Sequence, residues 1–140
     1  MPRLAPRLDV PATTASLEPV RRFVEAHARA ADFDEGDVMK VVLAVDEAAA
    51  NIVKHAYHGE AGHAFTVAIR TTALHLIVRL LHDGDAFDPA RYPGRVPLGQ
   101  AMQQRRKGGL GVHLMHRLMD DVAFRADGPR AEVRLAKRRP

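Results

Sequence analysis

The stretch VLAVDEAAANIVKHAY, residues 42–57, carries apolar side chains at helical spacing along its whole length. The same spacing extends back to Val38, and Asp34 is of a residue type that caps helix N-termini. These features predict one amphipathic helix from Asp34 to about Tyr57, with a single apolar stripe. Gly59 follows this helix and suits a left-handed cap.

Three polar residues of this helix, Glu47, Asn51 and His55, are spaced i, i+4 and i+8. At about 100° per residue they lie close together, roughly opposite the apolar stripe. A carboxylate there could act as a general base, and an asparagine oxygen could hold a magnesium ion. Taken alone, the pattern is weak and more typical of the solvated face of an amphipathic helix. It lacks the HExxH spacing of a zinc site.

The rest of the chain alternates between predicted helices and strands. Strands are predicted at 4–10, 63–71, 74–82, 122–126 and 130–136, and helices at 16–31 and 110–119. Tight turns are expected at Thr71–Thr72 and at Asp127–Gly128. We therefore expect one domain, residues 1–140, with an α/β two-layer sandwich fold. Its mixed, mostly antiparallel sheet is covered by helices on one face.

A second motif, HDGDAFDP, occupies residues 82–89 at the end of a predicted strand. Gly84 would let the backbone approach a ligand closely. Glycine, aspartate and proline are also ordinary turn residues, so the motif alone fits a simple turn equally well.

A third motif, GGLG, occupies residues 108–111 and opens the last predicted helix, directly after Arg105, Arg106 and Lys107. Backbone N–H groups and the helix dipole at such a start favour phosphate binding. Residues 83–109 show no clear periodicity, and a segment of that length is often a functional lid. The alternative is a flexible loop end that carries arginines by chance.

Together the three motifs resemble those of the GHKL ATPase/kinase superfamily, and within it the anti-sigma-factor serine kinases related to RsbW. VLAVDEAAANIVKHAY resembles the N-box of that family, DGDAFDP its first glycine box, and GGLGVHLMHRLMDDV its second. The resemblance extends from the first helix to the last strand. It implies a Bergerat-type ATP-binding fold.

The resemblance also implies roles for individual residues. Glu47 would activate the nucleophile, Asn51 would ligate Mg²⁺, and His55 would support the site. ATP would contact residues of the two glycine boxes and of the lid between them: His82, Asp83, Gly84, Phe87, Arg105, Lys107, Gly108, Gly109, Leu110 and Gly111.

The sequence departs from the family pattern at the first glycine box. The family has an aspartate two residues before the first glycine, and this carboxylate accepts the adenine amino group. Here that position is His82, with Asp83 next to it. Either the chain shifts locally so that Asp83 substitutes, or the adenine contact is weaker. Ala86 also stands where the wider superfamily often has glycine.

The function implied by the resemblance is MgATP-dependent phosphorylation of a serine on an STAS-domain anti-sigma-factor antagonist. The same protein would sequester a sigma factor, or an equivalent regulator, and would form a homodimer. The competing hypothesis is a partner-switching adaptor that binds proteins and has weak or no ATP binding. His82 is the feature that favours this alternative.

Composition excludes several other classes of protein. The 140 residues contain no cysteine, which excludes disulfides and thiolate chemistry. No apolar run approaches the roughly 20 residues of a membrane helix, so we expect a cytoplasmic protein with no membrane contact. The formal charge of +4 could suggest nucleic acid, but only 5% of residues are aromatic and none is tryptophan, so no direct nucleic-acid binding is expected. The basic tail, residues 137–139, is expected to be a solvated end.

Overall fold

The computed structural model describes residues 5–86 and 110–140. Its helices and strands are β1 (Arg7–Pro11), α1 (Leu17–Ala30), α2 (Glu35–Asn51), β2 (Ala64–Thr71), β3 (His75–His82), α3 (Leu110–Leu118), β4 (Asp121–Asp127) and β5 (Arg130–Arg138). A 3-10 turn (Thr14–Ser16) precedes α1, and a π-helical turn (Ile52–Ala56) continues α2. No helix in these ranges is long and apolar enough to cross a membrane.

The strands form one open sheet in the order β1-β2-β3-β5-β4. Each of the four pairings is antiparallel, so the mixed character that the sequence suggested is absent from the described residues. Two hairpins, β2–β3 and β4–β5, make up most of the sheet, and β5 joins them by pairing with β3. The α+β class, with helices on one face, is as predicted.

The two hairpin turns close in different ways. At the first turn, Thr72 Oγ1 accepts the backbone N–H groups of Leu74 and His75, at 3.3 and 3.0 Å. The Thr72 N–H donates to the His75 oxygen at 2.8 Å, so the two turn residues are 73 and 74, two positions later than the predicted Thr71–Thr72 turn. At the second turn Gly128 has φ +59°, a left-handed conformation that glycine adopts without steric cost.

Helix α2 is the centre of the helical layer. Asp34 caps it as predicted, because its carboxylate accepts the N–H of Asp37 at 2.7 Å. The helix packs against both α1 and α3, and Ala44 and Ala48 are buried together with the predicted apolar residues. The buried surface is therefore wider than the single predicted stripe, because helices flank α2 on two sides.

The helix continues to Ala56, close to the predicted end, but its last turn is π-helical. Gly59 then has φ +77°, which confirms the left-handed position expected there, and His58 is also left-handed at +53°. Such π turns within α-helices occur frequently at functional sites.

The basic C-terminal residues are part of the fold. Strand β5 extends through Arg138, and Lys137 Nζ donates to the backbone oxygen of Leu118 at 3.1 Å. The Arg139 guanidinium donates to the backbone oxygen of Thr72 at 2.9 Å. The prediction of a solvated tail was therefore wrong, because these side chains satisfy backbone carbonyls of neighbouring elements.

Candidate functional site

Glu47 on α2 and Gly111 on α3 lie in direct contact. A Cβ atom on Gly111 would come 2.6 Å from Glu47 Oε2, so the absence of a side chain permits this approach. The half-buried Glu47 carboxylate has no hydrogen bond or ion pair with any other described residue. Gly111 is the second residue of α3, so the carboxylate lies beside a helix N-terminus, where N–H groups favour negative charge. The first and third motifs therefore meet at one place.

Asn51 is the last residue of α2, one turn after Glu47. Its Nδ2 atom is buried and has no hydrogen-bond partner in the part of the chain that the structure describes. An unsatisfied buried donor costs about 1–3 kcal/mol, so an acceptor from a ligand or water is expected here. The amide oxygen of the same side chain is of the type that Mg²⁺ accepts.

These features fit a magnesium-bound phosphate group. Within the described ranges no group of three or more His, Asp and Glu side chains could hold a metal ion. A magnesium ion at Asn51 would therefore take most of its ligands from phosphate oxygens and water, as Mg²⁺ commonly does in nucleotide sites.

The second motif is fixed to the π turn. The backbone N–H of Asp85 donates to the Ala56 oxygen at 2.7 Å. A Cβ atom on Gly84 would come 2.8 Å from both Ala56 C and Tyr57 Cε1, and closer still to the Ala56 oxygen. Only glycine fits this position. Its lack of a side chain lets the end of β3 pack directly against the π turn at the end of α2.

His82 lies on the helix-covered side of β3, the same side as buried Leu76, Val78 and Leu80. The backbone N–H of Gly84 donates to its Nδ1 atom at 3.2 Å. Burial lowers the pKa of His82, and the nearby Asp83 charge opposes this effect only partly. The imidazole is therefore neutral at pH 7.

Asp83 points away from His82 and is exposed. The Tyr57 hydroxyl donates to Asp83 Oδ1 at 2.7 Å, and this hydrogen bond is the main reason why the pKa of Asp83 is lowered. The Asp83 N–H in turn donates to the Tyr57 oxygen at 3.2 Å. The carboxylate is thus held by Tyr57, and the local shift that would let it replace the family aspartate does not occur.

Tyr57 is the residue that sequence reasoning missed, having been treated only as a helix end. Its ring stacks on the His63 ring at a centroid distance of 4.2 Å, and its hydroxyl also lies 3.0 Å from the Ala64 oxygen. Desolvation is the main reason why the pKa of Tyr57 is raised. The available signal was an aromatic residue directly after the first motif, near the acidic residues of the second.

His55 and Leu110 are the other predicted site residues within the described ranges. His55 is exposed on the π turn and has no hydrogen bond with another described residue. The π turn changes the spacing that was expected to align it with Asn51. Leu110 begins α3. Five predicted residues lie outside the described ranges: Phe87, Arg105, Lys107, Gly108 and Gly109.

Comparison with known proteins gives consistent results. Residues 10–137 match the family model described as the histidine kinase-like ATPase domain. Serine-protein kinase RsbW of Listeria innocua is 32% identical over 123 residues, which are 86% of this chain and 78% of that protein. Serine-protein kinase RsbW of Bacillus velezensis is 28% identical over 123 residues, 86% of this chain and 77% of that protein.

Two solved structures are similar in fold. The RsbU and RsbW domains of a Mycobacterium tuberculosis protein match with a TM-score of 0.65 and 16% identity, over 96% of this chain and 33% of that longer chain. A chain of the SiaB–SiaC complex from Pseudomonas aeruginosa matches with a TM-score of 0.62 and 17% identity, over 97% of this chain and 91% of that chain. The chain therefore belongs to the histidine kinase-like ATPase domain family and, within it, to the partner-switching anti-sigma-factor kinases that include RsbW.

Proposed function

We propose that this chain is a serine-protein kinase that uses MgATP to phosphorylate a serine of an STAS-domain anti-sigma-factor antagonist. In this proposal the protein, as a homodimer, also holds a sigma factor or an equivalent regulator until the unphosphorylated antagonist displaces it. Support comes from relatives named serine-protein kinase and from a structural neighbour solved as a protein–protein complex.

The observation that carries the proposal is the Glu47 carboxylate, which lies beside Gly111 at the start of α3 and pairs with no other side chain that the structure describes. In the proposed mechanism Glu47 accepts the proton of the serine hydroxyl as the serine oxygen attacks the terminal phosphoryl group. The N–H groups at the start of α3 oppose the negative charge of that group. A base and an anion-stabilising helix end therefore lie side by side.

Asn51 is proposed to hold Mg²⁺ through its amide oxygen, and its buried Nδ2 group to donate to a phosphate oxygen. When bound, the metal ion neutralises charge on the phosphate oxygens. Arg105, Lys107, Gly108 and Gly109 are proposed, by resemblance, to close over the phosphates.

A protein substrate needs a docking surface near Glu47, and the outer side of α2 offers one. Met39 and Leu43 are 55% and 47% exposed, and Leu43 lies one helical turn before Glu47. Exposed apolar side chains next to a functional group are typical of interaction sites. We propose that this pair contacts the protein that carries the serine.

The test is phosphotransfer from MgATP to the STAS-domain proteins of the source organism, with phosphoserine located by mass spectrometry. A single phosphoserine on one of these proteins is the expected result. The Leu43→Asp variant should lose this transfer and still bind MgATP, because Leu43 lies outside the phosphate site. Absence of phosphoserine on every STAS-domain protein, with MgATP bound, would refute the kinase proposal.

A second candidate function is an adaptor that binds its partners with weak or no ATP binding. It is favoured by His82 in the adenine position and by the Tyr57 contact that occupies Asp83. Calorimetric titration with MgATP separates the two candidates, because the adaptor would form its protein complexes without measurable nucleotide binding.

A further inference from the structure

The end of β3 presents a hydrogen-bond donor where the family has an acceptor. The Nδ1 atom of His82 accepts the Gly84 N–H, so it carries no proton. In a neutral imidazole the single proton is then on Nε2. His82 is only 8% exposed, and Nε2 has no partner among the described residues. Among the described residues, Nε2 is not one of the buried side-chain polar atoms that lack a partner.

We propose that this N–H group makes the base pocket prefer a purine with an oxygen at position 6, as in GTP or ITP, over ATP. The 6-amino group of adenine is a donor, whereas the 6-oxygen of guanine is an acceptor. An amino group facing the His82 N–H would leave two donors unpaired, while a 6-oxygen would accept from it. The inference rests on the proposed function only in that the site binds a nucleoside triphosphate.

Within residues 5–86 and 110–140, neighbouring side chains do not supply the missing acceptor. Asp83 is exposed, and its carboxylate already accepts the Tyr57 hydroxyl. Rotating it towards the base would break that bond and leave the partly buried Tyr57 hydroxyl with the Ala64 oxygen alone. The unprotonated Nδ1 atom of His82 is also not free to face the base, because it accepts the Gly84 N–H. Turning Nδ1 towards the base would leave that N–H unpaired.

The deciding measurement is calorimetric binding of the magnesium complexes of ATP, ITP and GTP to the wild-type protein. ITP differs from ATP only at ring position 6 and in the adjacent N1 proton, so this pair isolates the proposed contact. We expect ITP and GTP to bind about tenfold more tightly than ATP, the effect of one satisfied hydrogen bond. Equal affinity for the three nucleotides, or tighter ATP binding, would overturn the inference.

Variants then assign the preference to His82. His82→Asp should reverse the order in favour of ATP, whereas Asp83→Ala, which removes a side chain held by Tyr57, should keep the wild-type order. Circular dichroism establishes that each variant is folded, and the wild-type series stands without them. An Asp83→Ala variant whose order changes would show that Asp83 reads the base and would also overturn the inference.

Magnesium tripolyphosphate, which has no base, distinguishes this inference from the proposed function. Binding of tripolyphosphate together with equal binding of the three nucleotides refutes base selection and leaves the phosphate site intact. Failure of all four compounds to bind refutes both the inference and the proposed nucleotide-dependent function.

Discussion

The two faces of the β-sheet differ in the chemistry that they carry. On the helix-covered face, β3 presents the buried side chains Leu76, Val78 and Leu80 and ends at His82. On the open face, Arg79 and Arg134 are direct cross-strand partners. The open face also holds a groove of about 260 Å³, whose lining includes Arg70, Arg79, Arg125, Arg134 and Glu132.

This difference shows that one cluster of arginines is separate from the candidate site. Arg70, Arg79, Arg125 and Arg134 line the groove on the face away from Glu47 and Asn51. The candidate site instead depends on close backbone approach, helix ends and single buried polar atoms. Substitutions on the covered side should therefore have large effects, and those on the open face small and salt-dependent ones.

The largest effect is expected at Glu47. Glu47→Gln keeps the size of the side chain and removes its ability to accept a proton. Phosphotransfer should fall by about 100- to 10,000-fold, the usual contribution of a positioned base. MgATP binding and the thermal midpoint should change little, as measured by calorimetry.

Asp46→Asn is the matched control for that variant. Asp46 is the adjacent carboxylate and accepts from Arg21 Nε at 2.6 Å. Loss of the Asp46 negative charge should leave phosphotransfer near the wild-type rate. Equal loss of activity in both variants would show that general negative charge on α2 matters and would remove Glu47 from its assigned role.

A smaller effect, on stability, is expected at the contact between β3 and the π turn. Gly84→Ala would place a methyl group against the backbone of Ala56 and the ring of Tyr57. Overpacking against backbone should lower the free energy of unfolding by about 1–3 kcal/mol, measured by urea denaturation.

Gly36→Ala is the control, because its new Cβ atom would be 3.5 Å from Asp34 Oδ1, an ordinary contact. It should raise the free energy of unfolding by about 0.5–1 kcal/mol through helix propensity. An unchanged free energy of unfolding in Gly84→Ala would mean that Gly84 does not pack closely against the π turn in solution.

Asn51→Ala should raise the stability of the nucleotide-free protein by about 1 kcal/mol, because it removes a buried donor that has no partner among the described residues. The same variant should bind ATP more weakly, chiefly when magnesium is present. Thermal unfolding with and without MgATP measures both effects. His55→Ala, which changes an exposed neighbour, should alter neither the stability nor the ATP affinity. If Asn51→Ala weakened ATP binding equally with and without magnesium, Asn51 would not act through the metal.

The fold was largely predictable because its signals are local. Helical spacing and the Asp34 cap predicted α2, and alternating strands with a glycine turn predicted the β4–β5 hairpin. The end of β5 was not predictable, because Lys137 and Arg139 bond to carbonyls of elements that are distant in sequence. A string of basic residues contains no information about such partners.

For the candidate site, the sequence predicted that Glu47 and Asn51 lie close together but not which atoms they contact. Spacing brought Glu47 and Asn51 together, whereas contact of Glu47 with Gly111 requires the packing of α2 on α3. The contact of Tyr57 with Asp83 is a hydrogen bond between residues 26 positions apart. Which nitrogen of His82 carries the proton depends on the hydrogen bond from Gly84, two positions further on. Only the folded chain determines these bonds.

The smallest effect is expected on the open face, where Arg134 faces Arg79 across β5 and β3. Like charges that are directly opposite each other destabilise a sheet, and Glu132 offsets this repulsion only in part because it pairs with Arg79. Arg134→Thr removes the repulsion and keeps a residue that favours strands. Urea denaturation at low salt should show a gain of about 0.2–1 kcal/mol in the free energy of unfolding. The gain should shrink at 1 M salt, where the screening length falls to about 3 Å.

Arg70→Thr is the control for this prediction. Because the cross-strand partner of Arg70 is Ile77, this variant should show no such salt-dependent gain. A gain in Arg134→Thr that persists at high salt would attribute it to strand propensity and would contradict the electrostatic account of this face.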